Sequence, residues 1–412
     1  MQQYDCRLVI LSFLLVLNAA NQYTTVGLTC GKRFCTLFDL ASVEDTFVYQ
    51  YVSRHIVQVI LDNVLLERLD GKVLRQYPPF VKCVDVQNSA TITVMSVPVN
   101  VTCLRIVATG LSKINFVQRS ALLRLMVEKS QLNAIPCTIE NARSLTFLEI
   151  VEANVRHLDL GTLCEHSRLE SIVLKRNKIR YVRNSATRSC PLYDALVFLK
   201  LKENRLKSLN LMLFSRFRRL NFFDISNNRL ASISTGTLTL DTIERFDMNN
   251  NRLTEISFCT WMLPRLRSLM LWCNSLTVVP ACVQSWTNIS FLSLTSNKLT
   301  SFAIESVAGL DNLQQLYLAW NRIEFVKLNG AQFPSSLELL DITGNLLHQL
   351  DLSFVPSRSL TVKVEMNFIT GLDVNSTTAN GSASHLTSNP IDCSWTLGRV
   401  QITGVPCLNG ND

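Results

Sequence analysis

The sequence is short of the features that anchor a chain, catalyse a reaction or concentrate charge. Past the first twenty of its 412 residues there is no run of about 18 apolar residues, so no later segment is long enough to cross a bilayer as a helix. No lipidation or anchor signal closes the chain. Charged residues are only 17% of the total, and the 40 Lys and Arg and 32 Asp and Glu are dispersed. The net charge of +8 leans towards anionic partners, yet no basic block marks a nucleic-acid-binding tail. There is no H-E-x-x-H, G-x-S-x-G, Walker loop or dinucleotide glycine pattern. The five histidines, His55, His157, His166, His348 and His385, are scattered, which argues for surface or satisfied side chains over a metal site. These absences point away from an enzyme and call for no cofactor. Disorder is excluded from the other side, because 47% of the residues are hydrophobic.

What is present begins with an export signal. Arg7 precedes the apolar run Leu8 to Leu17, and Asn18-Ala19-Ala20 offers a small-residue cleavage site, so residues 1–20 read as a signal peptide. The run is about half the length a membrane span needs, which makes a retained anchor the weaker reading. A secreted, extracellular product is expected. Removing Cys6 with the signal leaves twelve cysteines, an even number suited to disulfides in an oxidising compartment. Some could instead serve as small buried apolar residues.

Internal periodicity dominates the remainder. Leu220-Asn221-Phe222-Phe223-Asp224-Ile225-Ser226-Asn227-Asn228-Arg229-Leu230 follows L-x-x-L-x-L-x-x-N-x-L once Phe and Ile count as Leu. The same pattern starts at Leu169, Leu196, Ile243, Leu266, Ile289, Leu313, Leu337 and Ser359. Weaker copies start at Val101, Leu122 and Leu145, with Thr109, Ser130 and Ala153 in the asparagine position, and still weaker ones near Ile56 and Val81. From Val101 to Ser359 successive starts are 21 to 27 residues apart. Positions 4 and 6 alternate as a strand requires, so both point inward while 3, 5 and 7 point outward. A single strand of this kind cannot bury its apolar face, but strands stacked about 4.8 Å apart form a parallel sheet over a continuous core. Each buried Leu or Ile then contributes roughly 1.5–3 kcal/mol before chain entropy is subtracted.

The asparagine at position 9 sits where the chain leaves the strand, and its amide can satisfy backbone groups that would otherwise be buried unpaired. Asn177, Asn204, Asn228, Asn251, Asn274, Asn297, Asn321, Asn345 and Asn367 are expected to form such a ladder, including bonds to the next repeat. The ends need caps. The expected layout is an N-terminal cap at 21–55, about 14 repeats at 56–385 and a C-terminal cap at 386–412. Cys393 and Cys407 can close the latter. Equal positions on adjacent repeats lie within disulfide reach, which adds Cys83–Cys103 at position 3 and Cys259–Cys282 at position 17. Cys30–Cys35 closes the first cap. Two of Cys137, Cys164 and Cys190 are expected to pair, Cys164–Cys190 being favoured, with Cys273 free or open to a partner. Sequons start at Asn100, Asn288, Asn375 and Asn380, and the first two immediately precede a strand.

The repeat identifies the leucine-rich superfamily: an α/β solenoid, or horseshoe, with its parallel sheet on the concave face and irregular or short helical convex segments. The Asn389-Pro390-Ile391-Asp392-Cys393 cap resembles that of extracellular leucine-rich proteins such as Toll-type ectodomains and small matrix proteoglycans. The short Cys30-Gly31-Lys32-Arg33-Phe34-Cys35 cap and degenerate early repeats are more similar to the leucine-rich immune proteins of mosquitoes. That resemblance implies a haemolymph factor that binds and stabilises complement-like thioester proteins and helps direct them to pathogens. The chain departs from the longer members, which carry C-terminal coiled-coil heptads, by stopping five residues after Cys407. It resembles a coil-less member, which puts the disulfide-linked heterodimer of the long forms in doubt. Trp395 stands where the usual cap has a second cysteine.

The concave sheet is the usual binding face of a solenoid. Its outward positions hold a basic cluster, Lys175, Arg176, Lys200 and Lys202, and an aromatic or soft apolar group, Met270, Trp272, Phe291, Tyr317 and Trp320. Tryptophan and tyrosine dominate binding hot spots. The plainer alternatives are that the aromatic side chains pack on one another along the sheet, and that Glu152 and Glu203 neutralise the basic cluster. Asp224 and Asp247 should be neighbours at position 5, but an open sheet gives them no pocket to separate their pKa values for acid–base work. The expected function is secreted, innate-immune capture of a protein partner or a microbial surface, with no nucleic acid or membrane anchor. The alternative is a non-immune receptor, hormone-carrier or matrix module.

Overall fold

The computed structural model describes residues 13–14, 26–186, 189–234, 236–328, 333–351, 360–372 and 384–390. Most of the expected export signal, the sequons at Asn375 and Asn380, Trp395 and the Cys393–Cys407 pair lie outside these residues. The chain falls into two compact units, Met1–Asn204 and Arg205–Asp412.

In the first unit the strands Phe34–Phe38, Gln58–Asp62, Cys83–Ser89, Cys103–Thr109, Arg124–Glu128, Phe147–Val151, Ser171–Val173 and Phe198–Lys200 pair in parallel, each with the next. The faint repeats near Ile56 and Val81 are therefore real strands. Ahead of the row stands an antiparallel hairpin, Gly27–Cys30 against Phe34–Phe38, closed by the Cys30–Cys35 disulfide, and Phe13–Leu14 pairs antiparallel with its first strand. In the second unit Phe222–Asp224, Arg245–Asp247, Ser268–Met270, Phe291–Ser293, Gln315–Tyr317, Leu339–Asp341 and Thr361–Lys363 pair in parallel.

The register follows the repeat: Phe222, Arg245, Ser268 and Phe291, all at position 3, face one another in turn. Positions 4 and 6 are buried throughout, as in Leu269 and Leu271 or Leu316 and Leu318. Behind the sheet run 3-10 turns and short parallel pairs such as Ser208–Asn210 with Ser232–Ser234. A five-residue α-helix, Gly71–Arg75, starts from the Asp70 side chain, which accepts a bond from the Lys72 N–H.

The asparagines form the expected ladder with one difference of direction. Asn251 Nδ2 donates to Met248 O and Asn249 O in its own turn and to Ile225 O, while Asn251 Oδ1 accepts from Leu230 N. Both cross-repeat partners belong to the preceding repeat, because the side chain leans back towards it. Asn389 extends the ladder, donating to Val364 O and accepting from Ile369 N. Where serine replaces asparagine, Ser89 still accepts from Val64 N, but the Thr109 hydroxyl is buried without a partner. Replacing Asn251 with alanine is expected to cost roughly 1–3 kcal/mol by orphaning buried backbone groups. Arg252→Ala next to it should change melting little, since Arg252 is exposed. Equal losses in chemical denaturation would refute the ladder at this repeat.

Position 8, just before the asparagine, adopts the left-handed conformation in repeat after repeat: Arg176, Glu203, Asn227, Asn250, Cys273, Ser296, Trp320, Gly344 and Met366 all have positive φ. The turn needs it to swing the asparagine inward, and only Gly344 takes it at no steric cost.

Disulfides join Cys164 to Cys190 and Cys259 to Cys282 on the side away from the sheet. The expected Cys83–Cys103 bond is absent: both residues are thiols, although their strands place them directly opposite. Residues in register on parallel strands leave the sheet side by side with parallel Cα–Cβ vectors, whereas a disulfide needs convergent ones. Burial and the neighbouring Cys83 push the Cys103 thiol up to about 12. Cys137 and Cys273 are also thiols.

His166 is fully buried, with Nδ1 3.1 Å from Leu163 O and Nε2 3.1 Å from Ile139 O. A neutral ring donates to only one of two carbonyls, yet desolvation by burial outweighs them and draws its pKa below the ordinary value. Arg143 reinforces the lowering and Glu165 opposes it. The unfolded chain therefore takes up the proton first, and stability should fall as pH drops through the unfolded value of about 6.5. Thermal melts between pH 7.5 and 5 should show a steeper decline for the native chain than for His166→Gln. Parallel declines would contradict this.

Candidate functional site

In the second unit the outward positions of consecutive strands carry the soft apolar and aromatic group. Met270, Ser293 and Tyr317 share position 5 in register, with Phe291 beside them at position 3. The Phe291 and Tyr317 rings meet at 5.3 Å between centroids, and the Tyr317 hydroxyl donates to Gln315 Oε1 at 3.1 Å. Trp272 is half-buried at position 7, its backbone N–H donating to Asn249 Oδ1. Trp320 is 55% exposed. Its ring covers Gly344 in the following repeat so closely that a Cβ there would lie 2.7 Å from the indole. The bare glycine thus seats the tryptophan, which leans towards the following repeat and away from Trp272. Part of the group packs on itself, as Phe291 and Tyr317 do, and part stays in water.

Asp224 and Asp247 are neighbours in register as expected, but they are buried, not solvated. Arg245 grips Asp247 through both Nε and Nη2 at 3.1 and 3.0 Å, and its guanidinium carbon lies 5.2 Å over the Phe222 ring. Asp224 Oδ1 accepts from the Ser226 N–H. Both carboxylates fasten the sheet surface. A structural role accounts for them.

In the first unit Arg176 sits between two carboxylates, donating from Nη1 to Glu152 at 2.8 Å and from Nε to Glu203 at 2.9 Å. All three occupy position 8. Their mutual bonds remove the arginine from the basic cluster and leave Lys175, Lys200 and Lys202 half-buried on the same face. A cleft of about 610 Å³ elsewhere in this unit is lined by Thr46, Phe47, Tyr49, Arg54, Gln76 and Phe80 among others. Among the described residues Arg54 is its one charged lining residue, and these offer no acid–base pair. Among the described residues no group of three or more His, Cys, Asp or Glu could hold a metal ion. Both sequons within the described residues, at Asn100 and Asn288, are exposed.

Residues 264–323 match the family model described as leucine rich repeat. The chain has the leucine-rich-repeat fold. Solved structures with this fold cover most of it at low identity. A leucine-rich-repeat protein of Leptospira interrogans, LIC12759, aligns with a TM-score of 0.56 at 18% identity over 85% of this chain and 88% of that one. YopM from Yersinia enterocolitica gives 0.55 at 18% over 83% and 65%. A chain of the LRIM1/APL1C complex, from mosquito leucine-rich-repeat proteins, gives 0.54 at 15% over 87% and 62%. The repeat protein thus spans less than two thirds of the latter two chains. No curated protein matches its sequence significantly.

Among the features that sequence reasoning missed are the Gly344 seat and the left-handed column. Both had a signal, since glycine replaces a larger residue at position 8 one repeat after a tryptophan.

Proposed function

We propose that this repeat protein is a secreted capture factor of innate immunity. It binds a protein partner, of the complement-like thioester class, through the open sheet face of its second unit. The supporting observation is the group Met270, Trp272, Phe291, Tyr317 and Trp320 on outward positions of neighbouring strands, with Trp320 55% exposed on a built glycine seat. Large aromatics half in water are the residues that supply binding hot spots. The disulfides suit an oxidising, extracellular setting. A leucine-rich-repeat scaffold ordinarily serves protein interaction without catalysis, and one similar structure is itself a complex of two such proteins.

The test is a pull-down from extracellular fluid with the native chain and with Trp272→Ala/Trp320→Ala, followed by mass spectrometry. A thioester protein recovered by the native chain and lost with the variant is the expected result. Recovery of a growth factor or collagen would favour the non-immune module instead. Equal recovery by both proteins would move the site to Lys175, Lys200 and Lys202 or to the back of the sheet.

A further inference from the structure

The residue after each ladder asparagine forms a second feature of the surface. In the second unit this position holds Arg205, Arg229, Arg252, Ser275, Lys298 and Arg322 in six consecutive repeats. All five cations are exposed. Their spacing is built into the backbone. Arg229 N–H donates to Leu206 O, Arg252 to Leu230 O, Ser275 to Leu253 O, Lys298 to Leu276 O and Arg322 to Leu299 O, every bond at 2.8 or 2.9 Å. The column therefore climbs at the strand spacing of about 4.8 Å and runs for about 24 Å from Arg205 to Arg322.

Nothing in the column offsets its charge. None of the six positions is acidic, and no ion pair among the described residues engages any of the five cations. On the sheet side Glu203, two residues before Arg205, is held by Arg176, and the other position-8 residues, Asn227, Asn250, Cys273, Ser296 and Trp320, are uncharged. On the other side Lys207 adds to the charge, and only Glu255 and Glu324 lie nearby to reduce it. Like charges stacked along a ladder repel and destabilise it. A merely solvated edge would be served as well by mixed signs, as the Glu152–Arg176–Glu203 chain shows in the first unit.

We infer that this trailing edge of the second unit binds a linear sulfated polysaccharide, whose regularly spaced anions run along the cation column. The disulfides belong to an oxidising compartment, where the abundant linear polyanions are sulfated glycans. A single-stranded nucleic acid would call for aromatic side chains interleaved with the cations for base stacking, and the column has none. At Leu346 and Phe368 the same position turns apolar, which ends the track. The sequon at Asn288 precedes its strand, so a sugar there would sit at the opposite, leading edge. This surface is distinct from the aromatic group, and its ligand should still bind when Trp272 and Trp320 are replaced.

The probe is immobilised heparin, with the full chain titrated over a range of salt. Four column substitutions, Arg205→Gln, Arg229→Gln, Arg252→Gln and Arg322→Gln, are compared with Arg216→Gln, Arg219→Gln, Arg265→Gln and Arg267→Gln, which remove the same charge. Each released counterion steepens the salt dependence, so the column variant should lose about tenfold or more in affinity at 0.15 M salt and about three in log–log slope. The control should stay within about twofold of the native chain. Arg252→Gln alone, which leaves folding intact, should lower the slope by about one. Equal losses in the two fourfold variants would reduce the effect to net charge and overturn the inference. So would failure of the native chain to bind at 0.15 M salt, or displacement of heparin by single-stranded DNA of matched charge at a lower concentration.

Discussion

Replacing Trp272 and Trp320 together by alanine is expected to weaken partner capture by about thirtyfold or more while leaving secretion and melting nearly unchanged. Truncating a true hot spot loses about 2 kcal/mol or more of binding, which corresponds to that factor. Trp320 is 55% exposed and Trp272 half-buried, so neither carries much of the core. Gly344 supplies a second route to the same result. A side chain there would meet the Trp320 ring at 2.7 Å and would have to hold φ near +67°, so Gly344→Ala should displace the indole with both residues of the face chemically intact. Weakened capture by Gly344→Ala, measured by surface plasmon resonance against the recovered partner, would link the seat to the site. Native affinity in the double variant would remove the site from this face.

Phe258→Ala is expected to cost about 3–5 kcal/mol, more than any other single substitution considered. Phe258 is fully buried behind the sheet, 4.4 Å from the Trp286 ring and 4.9 Å from the Trp261 ring. The Trp286 indole N–H donates to Trp261 O at 3.2 Å, and Phe223 stacks on Phe246 at 5.2 Å. An alanine would leave a cavity that these large rings can only partly fill. Phe325, 64% exposed, is the control and should lose little. Urea denaturation of both variants measures the difference. Similar midpoints would mean that the aromatic layer is not the core of this unit.

The strand face was legible because its signal is periodic. A strand alternates strictly, so the spacing at Leu266 is enough to place Leu269 and Leu271 inside and Met270 and Trp272 outside. The aromatic layer behind the sheet was not legible, because the segments there vary in length and follow no fixed period. Trp261 and Trp286 look no different in sequence from Trp272, yet they are 3% exposed and it is half-buried. Asp224 and Asp247 were placed correctly, but their burial depends on the reach of Arg245 from position 3, which spacing does not reveal. Cys83 and Cys103 show the limit of register as a guide. Proximity was right, and the direction of the two side chains decided against a bond.

On the proposed reading, the open sheet face of the second unit meets the partner. Oxidative footprinting of the native chain, alone and with the recovered partner bound, tests it most directly. On binding, the Trp272 and Trp320 indoles and the Tyr317 ring should lose reactivity, while exposed Tyr181 and Phe325 keep theirs. If Trp272 and Trp320 stayed reactive in the complex while Phe325 became shielded, the partner would sit elsewhere than on this face.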